Sequence, residues 1–106
     1  MPADPRHIAG RAAEDAALAH LVDAGLELVA RNHRCRFGEI DLVMLAAGTL
    51  AFVQVRLRRA TAYGGAAVSV DAGKRRRLAL AADAWLGENR AHARQPCRFD
   101  VVAVTA

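Results

Sequence analysis

The chain has 106 residues, with 15 Lys+Arg against 11 Asp+Glu and a net charge of +4. At 54% hydrophobic and 25% charged it can bury a core, which excludes wholesale disorder, and its length suits one domain over residues 1–106 rather than two. Two cysteines, Cys35 and Cys97, make no disulfide framework, and the longest uncharged stretch, Leu42 to Val55, is too short for a bilayer-spanning helix. Fourteen of the fifteen basic residues are Arg and 25 residues are Ala. Such a bias also follows from GC-rich coding, so the positive charge alone points only weakly to a polyanionic partner. The opening Met-Pro-Ala-Asp-Pro-Arg-His lacks a basic-then-apolar signal pattern, so a cytoplasmic setting with no membrane association is expected.

Taken in chain order, Asp4-Pro5 opens a helix that runs to about Ala24, with Gly25 as its stop. Leu18, Leu21 and Val22 form its apolar stripe, and Glu14 projects from the same stripe, where it must be capped, paired or metal-bound. Leu26 to Arg31 reads as a short strand. Glu39 to Leu45 and Leu50 to Leu57 read as a hairpin about Ala47-Gly48, apolar on two faces as in a sheet covered on both sides. A tight turn there makes paired residue numbers sum to 95, which sets Asp41 opposite Gln54, with Arg56 two residues further along the same face. Asp41, Gln54 and Arg56 are thus expected to form one polar cluster. Thr61 to Ser69 reads as a loop, and Asp71 caps a second helix ending near Gly87, with Leu78, Ala81, Ala82, Trp85 and Leu86 as its stripe. A polar connection, Glu88 to Pro96, leads to a last strand, Arg98 to Thr105. The order predicts an α/β fold with a mixed central sheet flanked by helices.

Clustered carboxylates on a rigid sheet suit a hard cation such as Mg²⁺, which takes oxygen ligands. The competing reading is structural: an Asp41–Arg56 salt bridge, and Glu14 paired with an Arg. Lys74-Arg75-Arg76-Arg77, with Arg58 and Arg59, offers phosphate contacts or is simply a solvated helix turn. Four basic residues beside a helix N-terminus oppose its dipole, a small cost that favours a functional reason. Aromatic residues are too few for base-stacking platforms. The four histidines and two cysteines fit no zinc spacing, and neither a phosphate-binding Gly-rich loop nor a Gly-x-Ser-x-Gly nucleophile is present.

Gly10-x-x-x-Glu14, Asn32-x-Arg34, Gly38-Glu39-Ile40-Asp41-Leu42, Phe52-Val53-Gln54-Val55-Arg56, Lys74 and Arg98-Phe99-Asp100-Val101-Val102 together resemble the YraN family, a family of small bacterial proteins. That family is similar to the restriction-endonuclease-like, PD-(D/E)xK fold. The resemblance implies Mg²⁺-dependent phosphodiester cleavage, with Asp41, Glu14 and Gln54 as metal ligands and Arg56 in the place of the catalytic Lys. It also implies that the main-chain carbonyl of Val55 faces the metal. The sequence departs from the pattern because Gln54-Val55-Arg56 replaces Glu-x-Lys. Gln lacks the ligand charge, and Arg56 stays protonated and cannot serve as a base. Ala13 also replaces a glycine often found before the helix carboxylate. Weak Mg²⁺ binding and inefficient cleavage are expected. The readings that follow are a nuclease-like enzyme, a nucleic-acid-binding module (DNA or RNA) with a decayed site, and a protein-interaction subunit. The oligomer is open, a homodimer included.

Overall fold

In a computed structural model the chain is described over residues 5–58 and 71–105. The elements run α1 (Pro5–Asp23), β1 (Glu27–Cys35), β2 (Gly38–Ala46), β3 (Thr49–Arg58), α2 (Ala72–Glu88), a 3₁₀ turn (Arg90–His92) and β4 (Cys97–Thr105). The strands form one sheet in the order β1-β2-β3-β4. β1, β2 and β3 are antiparallel, and β4 lies parallel to β3 after the crossover through α2. This mixed sheet with two helices is the expected α/β class and is consistent with the restriction-endonuclease-like fold. No described helix is long and apolar enough to cross a membrane. The expected loop Thr61 to Ser69 lies outside the described residues.

Each face of the sheet carries a helix. Leu42, Met44, Ala51 and Val53 pack with Ala17 of α1, and Ile40, Val43, Leu50 and Phe52 pack with Ala81, Ala82 and Trp85 of α2. This is why β2 and β3 are apolar on both sides. The α2 stripe is the one its sequence predicts. The α1 stripe is so only in part: among its described side chains Ala13 and Ala17 are the buried ones, the expected Leu18 and Leu21 pack at the flank, and Val22 is 49% exposed. Alanine at the contact lets the α1 backbone sit close to the sheet, which pushes the longer side chains outward.

The hairpin register is the expected one, with Leu42 opposite Val53 and Ala46 opposite Thr49. The two-residue turn has φ 49° at Ala47 and 87° at Gly48. Positive φ at both positions is the turn that matches strand twist, and alanine tolerates it poorly. Ala47→Asn or Ala47→Gly is therefore expected to stabilise the protein by up to about 1 kcal/mol, read as a higher urea midpoint at unchanged slope.

β1 extends four residues beyond the expected Arg31. The polar segment Asn32-His33-Arg34-Cys35 pairs with β2 down to Cys35↔Gly38, so ladder hydrogen bonds override the weak apolar pattern of these residues. Asn32 has φ 55°, and β1 carries a register shift between Leu28 and Ala30. Left-handed residues of this kind add twist. In β2 the alternation breaks opposite Asn32: Ile40 joins the α2-side core, whereas Leu42 joins the α1-side core. Asp41 lies at this change-over.

Candidate acidic centre and basic pocket

Among the described residues, one group of acid side chains converges. Glu14 of α1 and Glu39 and Asp41 of β2 each place a carboxylate oxygen within 4.8 Å of the others. Glu14 reaches the group because α1 packs over β3 and β4 through its alanines. Glu39 and Asp41 reach it from alternate positions of one strand. Asn32 stands across from them. With its amide nitrogen turned inward, it donates to Glu14 Oε1 at 2.8 Å and to Glu39 Oε1 at 3.1 Å.

The electrostatics are those of crowded acids. Burial, then the neighbouring Asp41 and Glu39 charges, push the Glu14 pKa above its ordinary value, against the pull of Arg31. Burial also raises Asp41, reinforced by Glu39 and opposed by a hydrogen bond from the Val55 N–H and by the charge of Arg56. Arg31 is the local counter-charge, with Nε 3.7 Å from Glu14 Oε1 and a terminal nitrogen bonded to Asp15. Glu14 is thus paired with an Arg, as one of the sequence alternatives had it. Among the described residues no ion pair within 4.0 Å joins Asp41 to Arg56.

The expected common face for Asp41, Gln54 and Arg56 does not form as drawn. The β2–β3 ladder ends at Leu42↔Val53, and beyond it side chains bridge the parting strands. Asp41 Oδ2 accepts from the Val55 N–H at 2.7 Å, and Gln54 Nε2 donates to the Glu39 carbonyl at 2.8 Å. Val55 therefore presents its N–H to Asp41. Gln54, almost fully buried, turns from the carboxylates into a small hollow with Phe37, Gly38, Glu39, Lys74, Arg77 and Leu78. The twist at Asp41 is the physical reason: it carries the acid toward α1 while regular alternation leaves Gln54 under α2. Arg56 Nε is buried without a hydrogen-bond partner.

Of the expected basic residues, Lys74 lines the hollow beside Gln54, joined by Arg77. Arg75 lines a different, apolar hollow next to Phe99. Arg58 ends β3, and Arg59 lies outside the described residues. Sequence reasoning assigned no role to Glu39, Asn32 or Arg31, and took Arg77 only as part of the Lys74–Arg77 basic run. Glu39 was findable, since a strand residue two before Asp41 tends to share its side. Asn32 and Arg31 were not, because their contribution depends on β1 running past Arg31.

An oxygen-only donor set of three carboxylates fits a hard divalent cation such as Mg²⁺ and does not suit a soft metal. Glu14, Glu39 and Asp41 are the residues that would hold it. Gln54, tied to the Glu39 main chain, is not placed among them.

A family model described as uncharacterised protein family UPF0102 matches residues 13–104. A UPF0102 protein of Stutzerimonas stutzeri is 56% identical over 92% of this chain and 81% of its own length. One from Ectopseudomonas mendocina is 55% identical over 91% of this chain and 81% of its own, and one from Pseudomonas entomophila 53% over 98% and 85%. The matched span takes in the acidic centre, the Gln54 hollow, the second half of α1 and all of α2, and with it the chain belongs to the UPF0102 family, the YraN family that its motifs resemble.

Proposed function

We propose that this protein binds nucleic acid along the Lys74–Arg77 side of α2 and holds Mg²⁺ at Glu14, Glu39 and Asp41, as a nuclease-like site of low phosphodiesterase activity. The observation that carries this reading is the convergence of three carboxylates, two of them with raised pKa, within 4.8 Å on a rigid sheet. Acids crowded to this degree favour a cation among them. When bound, Mg²⁺ would offset charge on a phosphodiester and polarise a water. The protein's own contributions are then separable. Lys74 and Arg77 hold backbone phosphates. Arg56, its guanidinium charge already felt by Asp41, steadies the phosphate to be cut and cannot take a proton.

A second reading, a binding module without catalysis, is favoured by one specific arrangement. Asp41 and Gln54 both hydrogen-bond main chain across the parting strands, which is a structural role in itself.

Two measurements separate the readings. Binding to single-stranded, duplex and branched DNA and RNA is expected to weaken steeply with salt. Lys74→Ala with Arg77→Ala should reduce the log–log slope by about 2; an unchanged slope removes the interface. Mg²⁺-dependent cleavage of the same substrates is expected to be slow, absent in Asp41→Ala, and faster in Gln54→Glu/Arg56→Lys. No cleavage by either the natural chain or the double variant leaves the binding module. The double variant loses the Gln54–Glu39 hydrogen bond and is expected to be less stable by about 1–3 kcal/mol, so its folding is followed alongside.

A further inference from the structure

β4 is an edge strand among the described residues, and its first half is open. Cys97, Arg98, Phe99 and Val101 are exposed, with Phe99 at 51%, whereas Val102, Ala103 and Val104 are half-buried, two of them against α1-side core residues. Beside Phe99 lies an apolar hollow of about 300 Å³, lined by Arg75, Leu78, Phe99, Asp100 and Val101. Among the described residues α2 packs mainly over β1 and β2, and only Arg75 and Leu78 near its start border this side of β4.

The free edge has a defined polarity. The Leu50 N–H donates to the Pro96 carbonyl at 2.9 Å, so Pro96 turns its carbonyl toward β3. Main-chain groups alternate sides along a strand, and residues 98 and 100 therefore also face β3. Cys97, Phe99 and Val101 point their N–H and C=O groups outward. An edge of this length, without Lys or Pro and with Phe99 and Val101 exposed, can accept another strand.

We propose that β4 pairs with β4 of a second copy, antiparallel about a twofold axis at Phe99, to make one eight-stranded sheet. Three observations select this register. Phe99 is the midpoint of the open stretch Cys97 to Val101. Its outward N–H and C=O make Phe99 opposite Phe99 a fully hydrogen-bonded pair, with Cys97 opposite Val101 on either side. Arg98 then falls opposite Asp100 of the other copy in the non-hydrogen-bonded pairs, where side chains are closest. Arg98 and Asp100 already bond within the strand at 2.9 Å, so the twofold axis closes a four-member charge cluster of alternating sign. A register centred on Asp100 would set like charges face to face, and one centred on Val101 would lose both ion pairs. The two Phe99 rings meet at the mouths of the apolar hollows.

The test uses the full chain in light scattering, with a dimer of twice 11.3 kDa expected. Arg98→Asp should shift the protein to monomer, and Arg98→Asp/Asp100→Arg should restore the dimer. Val101→Cys should cross-link to the native Cys97 of the other copy under mild oxidant, since the Cα separation of such a pair is about 5.5 Å and allows a disulfide. Cys97→Ser in that background should abolish the cross-link. A wild-type monomer up to the solubility limit, a dimer indifferent to Arg98→Asp, or a Val101→Cys variant that forms no cross-link to Cys97 would each overturn the proposal. None of these variants touches the acidic centre, so the outcome is independent of the cation and nucleic-acid readings.

Discussion

Addition of Mg²⁺ is expected to raise the thermal midpoint of the wild-type protein and to leave Asp41→Asn unmoved, with Glu14→Gln and Glu39→Gln showing reduced gains. A ligand present at 100-fold its Kd stabilises a protein by about 2.7 kcal/mol, which for a domain of this size is roughly 10 °C or more. The cation-free protein supplies the complementary sign. Glu14 and Asp41 both titrate above their ordinary values of 4.5 and 3.8 in the folded state. The unfolded chain therefore ionises first as pH rises. The contribution of these two groups to wild-type stability falls from the ordinary values up to the folded ones and is constant beyond. Glu14→Gln should lack its share of that fall and be more stable than wild type near neutrality. Asn at 41 retains a carbonyl oxygen for the Val55 N–H and should behave likewise. Saturating Mg²⁺ pulls both pKa values down and reverses the slope over the same window. Differential scanning across pH, with and without the cation, checks all of this. A midpoint that rises equally in wild type and Asp41→Asn would mean the cation binds elsewhere.

Phe52→Ala is expected to cost about 3–5 kcal/mol, a large part of the stability of a small domain. Phe52 is 2% exposed at the centre of the α2-side core. Its ring meets Trp85 edge-on at 5.9 Å and Phe99 in a tilted pair at 5.6 Å. The substitution removes both contacts and leaves a cavity between β3 and α2. Phe52→Leu should cost markedly less, because most of the volume is kept. Leu57→Ala, on the same strand but 42% exposed, should be near neutral. Urea midpoints at constant slope report the three values. A loss below about 1 kcal/mol for Phe52→Ala would contradict the packing of α2 on the sheet. Gln54 is two residues from Phe52, so loosening here should also weaken the Gln54–Glu39 hydrogen bond that spans the parted strands.

Local chemistry made much of the fold legible. Asp71, whose carboxylate accepts the Lys74 N–H at 2.7 Å, marks the start of α2, and the Leu78–Ala81–Ala82–Trp85 spacing marks its buried side. Ala47-Gly48 between two apolar runs locates the hairpin and its register. Glu14 and Asp41 were readable as chemistry because a carboxylate on an apolar face demands a partner. These signals lie within one helix turn or one strand pair, and nearest-neighbour sterics and hydrophobic periodicity decide them.

The rest required the packed chain. A left-handed Asn32 in β1 sets the twist of β2 at the opposite position, which sends Asp41 toward α1 while Gln54 stays under α2. Asn32 faces Asp41 because β1 runs on to Cys35, a pairing that ladder hydrogen bonds enforce over a polar sequence, and Arg31 joins the centre through its contacts with Glu14 and Asp15 of α1. Strand alternation alone would hold positions 41 and 54 on one face. The sequence by itself determined the helices and the hairpin with its register, and marked Glu14 and Asp41 as carboxylates in need of partners. Tertiary structure decided which of them meet, because sheet twist and strand parting are set by contacts between segments distant along the chain.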